Sequence, residues 1–307
     1  MSEPLIPDPV ESASFRSGFT CFVGRPNAGK STLTNAIVGE KVAITSSKPQ
    51  TTRHAIRGIV HRPDAQLVIV DTPGLHRPRT LLGQRLNDVV QSTLSDVDVI
   101  GFCVPANERV GPGDRYIMGQ LAVLNTPIIA VLTKTDLAEP NTIIRQLAEL
   151  NGLGDFAEVV PVSAVDGDQV ELLTDLLVAR LPEGPHLYPD ETHSDEPTET
   201  MIAELIREAA LEGVRDELPH SIAVSVDEMG PRASRPDLLE IYATVYVERD
   251  SQKGIVLGHR GERLRDVGIT SRKAIEELLG RKVHLALHIS VLSDWQRDPK
   301  KLDRLGF

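Results

Sequence analysis

The sequence predicts an α/β domain built on a mostly parallel sheet, followed by a small α+β domain. Three observations carry this reading. Apolar runs of strand length alternate with helix-like stretches between about residues 18 and 182, the pattern of a parallel sheet covered on both faces. Residues 183–198 are rich in proline and acids and show no periodicity, so they read as a linker. Residues 199–307 then run helix, strand, strand, helix, helix, strand.

The elements follow in order. Residues 1–17 begin MSEPLIPDPVESAS, which lacks the basic-then-apolar order of a secretory signal and is expected to form a flexible N-terminus. Strands are expected at FTCFVG, LVIVDTPG, VDVIGFCV, PIIAVL and EVVPVSA, with KSTLTNAIVG and LAVLNT as helix-like stretches among them. Beyond the linker, TETMIAELIREAALEGVRDEL has apolar residues at helical spacing. HSIAVSVDEM and LLEIYATVYVERD alternate as strands, RLRDVGITSRKAIEELLG returns to helix, and KVHLALHISVL alternates again.

Composition sets the bounds. A chain of 307 residues can bury two cores, and 40% hydrophobic with 25% charged residues is ordinary for a soluble protein. The longest apolar runs, such as VIGFCV, are far too short to span a bilayer. Cys21 and Cys103 both sit in apolar, strand-like runs, which predicts buried, reduced thiols and fits a reducing cytoplasm. The net charge of −11 argues against nucleic acid until its distribution is considered. Residues 201–307 carry 17 Lys+Arg against 18 Asp+Glu, which leaves −10 of the −11 in residues 1–200. Within 252–282 there are eight basic and four acidic residues, a local basic patch.

GRPNAGKST, residues 24–32, follows the first strand and opens a helix. Gly24, Gly29, Lys30 and Ser31 fit G-x-x-x-x-G-K-S/T at every fixed position, with Arg25, Pro26, Asn27 and Ala28 between them and Thr32 beyond. Glycines let successive main-chain N–H groups turn around phosphate oxygens, and the helix N-terminus adds its positive dipole end. Lys30 would bridge the β and γ phosphates, and the Ser31 hydroxyl would coordinate Mg²⁺. Asp71-Thr72-Pro73-Gly74 ends the strand LVIV, where Asp71 can hold Mg²⁺ through water and Gly74 can present its N–H to a γ-phosphate. The tetrapeptide is weak alone and gains its force from the loop at 24–31. Between them, Thr51 or Thr52 of SSKPQTTRH could supply a hydroxyl to the metal, in a segment polar enough for a switch.

VLTKTD, residues 131–136, speaks to the base. Guanine presents N1–H and N2–H₂ side by side, and one carboxylate accepts from both, whereas adenine offers an unprotonated N1 that a carboxylate would repel. Asp136 is that carboxylate, and the Lys134 stem can lie over the ring. Thr133 stands where an asparagine is usual and offers one short hydroxyl, a loss of roughly one hydrogen bond, or about 1–2 kcal/mol. The expectation is GTP binding with weakened affinity and retained specificity. Ser163 and Ala164 of VSA would bring main-chain N–H groups near the base.

In the second domain, Gly258-His259-Arg260-Gly261 lies between two helices. A G-x-x-G turn lets phosphates approach the main chain and can clamp a nucleic-acid backbone. Lys253, Gly254, Arg260, Arg263 and Arg265 surround it, and Ile255, Val256 and Leu257 would build an aliphatic groove, since few aromatics are at hand to stack bases. The plainer alternative for the charges is a solvated helix face.

Together GRPNAGKSTL, QTTRH, DTPGLHRPRT, the final DW…LGF and the G-x-x-G unit resemble the translation-factor-related GTPases and, among them, the Era family of bacterial ribosome-assembly GTPases. The resemblance covers nearly the whole chain. It implies a P-loop GTPase domain at 18–182 and a type II KH domain at 199–307. It further implies slow GTP hydrolysis, a switch between GTP and GDP forms, and a potassium ion beside Asn27. The partners it implies are the 3′ region of 16S rRNA and the small ribosomal subunit, with no DNA partner. It implies a cytoplasmic protein, with peripheral contact at the inner face of the cell membrane left open. On this reading Lys30 and Gly74 are the catalytic positions.

Leu75 follows Gly74 where Ras-like enzymes place a water-orienting glutamine, and His76 is nearby, so no residue is assigned to the attacking water. Two alternatives stand beside the GTPase switch: a nucleotide-regulated RNA-binding module whose hydrolysis is incidental, and a P-loop ATPase or kinase, against which Asp136 argues.

Overall fold

In the first domain the chain runs β1 (Arg16–Gly24), α1 (Lys30–Val38), β2 (Ile56–His61), β3 (Ala65–Asp71), α2 (Leu81–Asp96), β4 (Val99–Pro105), α3 (Pro112–Leu121), β5 (Ile128–Thr133), α4 (Pro140–Asn151), β6 (Glu158–Pro161) and α5 (Val170–Val178). The structure is a computed structural model that describes residues 14–307 except 47, 49, 50, 76, 77, 79, 215–217 and 233. His76 and most of the expected flexible N-terminus therefore lie outside the described residues.

The sheet order is β2-β3-β1-β4-β5-β6, parallel throughout except that β2 runs antiparallel to β3. β3 and β4 are buried along their whole length, as strands covered on both faces must be. Leu33 and Ile37 of α1 with Leu173 and Leu177 of α5 fill one face, while Val90, Ile117 and Leu150 of α2, α3 and α4 fill the other. Strand β2 is not marked by the apolar runs: its sequence IRGIVH is short, holds a glycine and carries two basic residues. Cys21 and Cys103 are buried and free.

Residues 183–197 lie along the first domain. Ser194 bridges to Gly58 on the edge strand β2, and Ile59 N donates to the His193 carbonyl at 2.9 Å. The fully buried Gln66 side chain accepts from Leu187 N at 2.6 Å and Tyr188 N at 2.9 Å and donates to the Tyr188 carbonyl at 2.9 Å. The strap thus covers an edge that would otherwise offer unpaired main-chain groups.

The second domain runs α6 (Thr198–Leu211), α7 (Leu218–Ser221), β7 (Ala223–Arg232), β8 (Arg235–Val247), α8 (Asp250–Leu257), α9 (Glu262–Leu279), β9 (Val283–Val291) and α10 (Pro299–Arg304). Its sheet is β7-β8-β9, with β8 antiparallel to β7 and parallel to β9. Among the described residues no helix is long and apolar enough to cross a membrane.

The loop between α1 and β2 joins the two domains. Ile44, 1% exposed, packs in the core of the second domain with Ile202 and Ile206 of α6. Glu208 of α6 accepts from Thr45 N at 2.8 Å and pairs with Lys41, and Arg207 donates to the Thr51 carbonyl. A second junction packs Leu82 and Leu86 of α2 against Tyr246, Trp295, Leu302 and Phe307. Trp295 is the chain's one tryptophan, so its fluorescence reports on this boundary. Ile44→Ala removes a fully buried side chain from the second domain's core and is expected to lower the stability read at Trp295 in urea by about 2–5 kcal/mol. An unchanged midpoint would show that the loop is not part of that core.

Candidate nucleotide site and nucleic-acid interface

The loop after β1 turns through Asn27 (φ 63°) and Gly29 (φ 88°) into α1, which begins at Lys30 and points its N-terminus into the cleft. Pro26, Asn27, Gly29, Lys30, Ser31, Thr32, Thr51, Thr52, Gly74 and Lys134 are among the residues that line that cleft. Lys30 Nζ arches back over the loop to the carbonyls of Gly24 at 3.3 Å and Arg25 at 3.2 Å. Gly74 is needed for close approach: a Cβ there would lie 2.8 Å from Pro26 N, so only glycine brings the segment after β3 against the loop.

Ser31, Thr52 and Asp71 converge. Ser31 Oγ donates to Asp71 Oδ2 at 2.7 Å, Thr52 Oγ1 donates to the same oxygen at 3.0 Å, and the two hydroxyls are 2.9 Å apart. Burial pushes the Asp71 carboxyl above its usual range, against the pull of the Ser31 hydroxyl, Lys30 and the Thr52 hydroxyl. Burial likewise holds the Lys30 ammonium below its usual range, opposed by Asp71. Asp71 Oδ1 is buried with no hydrogen-bond partner among the described residues. Two hydroxyls and a carboxylate with an unused buried oxygen fit Mg²⁺, which takes oxygen ligands. Among the described residues no group of three or more His, Cys, Asp or Glu could hold a metal ion, so this set would depend on hydroxyls and on phosphate oxygens.

Thr51 is not part of that set. Its hydroxyl donates to the Lys48 carbonyl at 2.7 Å, and its own carbonyl receives Arg207, so Thr52 is the threonine at Asp71. Arg25 turns away from the cleft, with Nε on Asp114 at 2.8 Å and Nη1 on Glu108 at 3.0 Å. Thr72 Oγ1 donates to the Phe22 carbonyl at 3.1 Å and ties β3 to β1, while Pro73 is buried beside it. Leu75 is 3% exposed in the first-domain core, so it cannot orient a water.

At the base end, Thr133 Oγ1 donates to the Ala28 carbonyl at 2.6 Å, so the threonine fastens its loop to the phosphate loop. Its single proton is thereby committed, and none remains for the base. Lys134 adopts a left-handed conformation (φ 58°) that turns the chain toward exposed Asp136. The expected main-chain role of Ser163 is not what the structure shows. Ser163 N donates to Asp168 O at 3.1 Å, and the Ser163 hydroxyl holds Asp136 Oδ1 at 2.9 Å, steadying the carboxylate. Ala164 follows, half-buried. The sequence signal for the hydroxyl was the serine itself, whose side chain competes for nearby polar groups.

In the second domain, α8 ends and α9 begins at a tight turn, Gly258 (φ 72°), Arg260 (φ 51°) and Gly261 (φ 79°). A Cβ at Gly258 would lie 2.7 Å from Arg263 Cβ, so glycine is demanded by both conformation and space. His259 and Arg260 are exposed at the tip, and Lys253, Gly254 and Ile255 line the outer side of α8. Val256 does not reach the surface: it is fully buried in the domain core, because it falls on the face of α8 turned to the sheet. Arg263 is likewise turned inward, donating to the carbonyls of Ala210 (3.3 Å) and Glu212 at the end of α6. The groove lies between α9 and β9, a cavity of about 470 Å³ lined by Gly261, Leu264, Arg265, Ile269, Arg272 and His284 among others. Ile269 and Arg272 were legible in principle, since 261, 265, 269 and 272 recur at helical spacing on one face.

The family described as "50S ribosome-binding GTPase" matches residues 19–134, and the KH domain family matches residues 217–296. GTPase Era of Streptomyces coelicolor is 64% identical over 309 residues, covering 98% of this chain and 97% of that protein. GTPase Era of Mycolicibacterium smegmatis is 61% identical over 296 residues, covering 95% and 99%. A crystal structure of Era with MgGDPNP and nucleotides 1506–1542 of 16S ribosomal RNA is 35% identical, with a TM-score of 0.92 over 95% of this chain and 99% of that one. A single-residue variant of Aquifex aeolicus Era bound to GDP·AlF₄⁻ is 34% identical with the same TM-score and coverage. With a G-x-x-x-x-G-K-S loop and a G-x-x-G turn in one fold, and with identity and coverage of this extent, the chain belongs to the Era family of GTPases.

Proposed function

We propose that this chain is a GTP-hydrolysing switch that binds the 3′ region of 16S rRNA and acts in assembly of the small ribosomal subunit. The observation that carries the reading is the joint presence of the Ser31–Thr52–Asp71 oxygen set at the phosphate loop and the Gly258–Gly261 turn opening on the groove beside α9. Its support in relatives is the Era structure that holds MgGDPNP and 16S nucleotides together.

Ser31, Thr52 and Asp71 would hold Mg²⁺, which when bound neutralises charge on the phosphate oxygens. Lys30, poised over the loop by two carbonyls, would set its ammonium against the β and γ phosphates and stabilise the charge that builds between them. Main-chain N–H groups of Asn27, Gly29, Lys30 and Ser31 and of Gly74 would fix the phosphate chain, the Ala28 N–H being spent on the Arg25 carbonyl at 3.2 Å. Asp136, steadied by Ser163, would read guanine N1–H and N2–H₂. With Leu75 in the core, no side chain at that position activates water, which favours a slow intrinsic rate raised by the ribosomal partner. RNA would run along the α9–β9 groove, its backbone against Gly258–Gly261, with Arg265 and Arg272 facing phosphates and Ile269 facing bases.

Calorimetric titration with GTP, GDP, ATP and XTP tests the base reading. Asp136→Asn is expected to lose GTP and favour XTP, because an amide cannot accept from both guanine donors. Thr133→Asn is expected to tighten GTP by about five- to thirtyfold, the worth of one added hydrogen bond of about 1–2 kcal/mol. Equal affinity of the wild type for ATP and GTP would sink the guanine assignment.

The double variant Gly258→Asp, Gly261→Asp is expected to abolish RNA binding in a filter assay and leave GTP affinity as it is, and retained RNA affinity would place the clamp elsewhere. Multiple-turnover hydrolysis measured with and without small ribosomal subunits is expected to accelerate in their presence. An identical rate, with identical subunit affinity for both nucleotide forms, would reduce the chain to an RNA-binding module whose hydrolysis is incidental.

A further inference from the structure

Arg53 directly follows Thr52, yet its guanidinium is housed in the second domain. The residue is 2% exposed. Nη1 donates to the Ile222 carbonyl at 2.7 Å, and Nη2 donates to His220 at 2.9 Å and Pro219 at 3.2 Å. These are carbonyls of the one-turn helix α7 and of the residue after it, acceptors that no continuing helix pairs. The Trp295 indole N–H takes the remaining carbonyl of this stretch, Ser221, at 3.1 Å. The guanidinium also lies 5.6 and 5.9 Å from the ring centroids of Trp295 and Phe307. Burial pushes Arg53 down to about 9, which leaves it charged at neutral pH. A buried charge is costly to desolvate and is retained here against three carbonyls of a four-residue helix and the residue after it.

The same carbonyl segment reaches the clamp. Ser221 Oγ accepts from Gln252 Nε2 at 3.1 Å, and Gln252 Oε1 accepts from Glu248 N at 2.9 Å and Arg249 N at 3.1 Å. Gln252 sits in the first turn of α8, and α8 ends at the Gly258 turn. Between the metal-site hydroxyl of Thr52 and the clamp lie one peptide bond, one guanidinium, the 219–222 segment and one eight-residue helix, a rigid rod about 12 Å long.

The geometry points to Arg53 as the positioning residue that couples the two sites. It holds Thr52 against Asp71 by anchoring on the carbonyls of 219, 220 and 222, so that closing the phosphate site and seating the clamp favour one another. The inference rests on the GTP-switch reading above. Arg53 lines neither the phosphate-loop cleft nor the groove beside α9, so it acts through its neighbours. Coupling of this kind is reciprocal: the factor by which GTP in place of GDP raises RNA affinity equals the factor by which RNA raises the preference for GTP. Lysine at 53 keeps the charge but lacks the planar fork that reaches several carbonyls at once.

The test uses the full chain, an RNA of 16S nucleotides 1506–1542, and either a non-hydrolysable GTP analogue or GDP. In the wild type the RNA affinity is expected to differ between the two nucleotide forms by a factor in the range of about 5–150. In Arg53→Lys that ratio is expected to fall to within about twofold of one, while GDP affinity and RNA affinity of the GDP form stay within about twofold of wild type. A ratio kept at the wild-type value overturns the inference, and so does a fall accompanied by loss of GDP or RNA affinity in the GDP form, which marks a merely structural role. A wild-type ratio of one removes the switch reading itself, which is a different failure. Hydrogen exchange on the wild type covers the case of a variant that does not fold. The amides of Leu218, His220, Ser221 and Ile222 are expected to gain protection when GDP is replaced by the GTP analogue, and unchanged protection there overturns the inference equally.

Discussion

The loop of residues 41–54 belongs to two domains at once, and the rest of the molecule depends on that. Ile44 is buried among residues of α6, Thr45 N is held by Glu208, the Thr51 carbonyl by Arg207, and Arg53 by the end of α7. Between those anchors stands Thr52, whose hydroxyl completes the oxygen set at Asp71. A polar segment of this kind has too little apolar surface to order itself. Its described residues are anchored on the second domain, which thereby helps to place Thr52 in the phosphate site.

The buried polar groups show the same division of labour. Burial disfavours the charged forms of both Asp71 and Lys30, raising the carboxyl and lowering the ammonium, so each gains from an opposite charge brought into the cleft. Glu204 and Arg207 form a buried ion pair within α6, with Arg207 reaching the switch segment beyond it. Such pairs contribute little net stability, because desolvation offsets the attraction, but they are intolerant of misplacement. That intolerance suits a junction where position matters more than strength.

Charge separates the two halves in a way that suits their partners. Residues 166–199, covering α5 and the strap, hold ten acidic residues against one arginine. The basic patch at 252–282 covers the clamp turn and the groove face of α9. An RNA phosphate chain is repelled by the first surface and drawn to the second, so the field directs the strand before any base is contacted.

Local chemistry was written in the sequence. The phosphate loop, Asp71, Asp136 and the Gly258–Gly261 turn each need their residues within a few positions of one another, so spacing alone exposed them. The alternation of apolar runs likewise determined the parallel sheet and the small α+β domain. Choices that depend on distant parts of the chain were decided only by tertiary structure. Thr52 rather than Thr51 faces Asp71 because Arg207, 156 positions away, takes the Thr51 carbonyl. Ser163 offers its hydroxyl rather than its N–H because Asp168 turns back on it, and Val256 is core because its side of α8 meets the sheet. The strand β2, the strap held by Gln66 and the seat of Arg53 were equally hidden, since each exists only where remote main-chain groups supply the partner. Sequence patterns record what a residue can do, and packing against remote segments determines which of those capacities it uses.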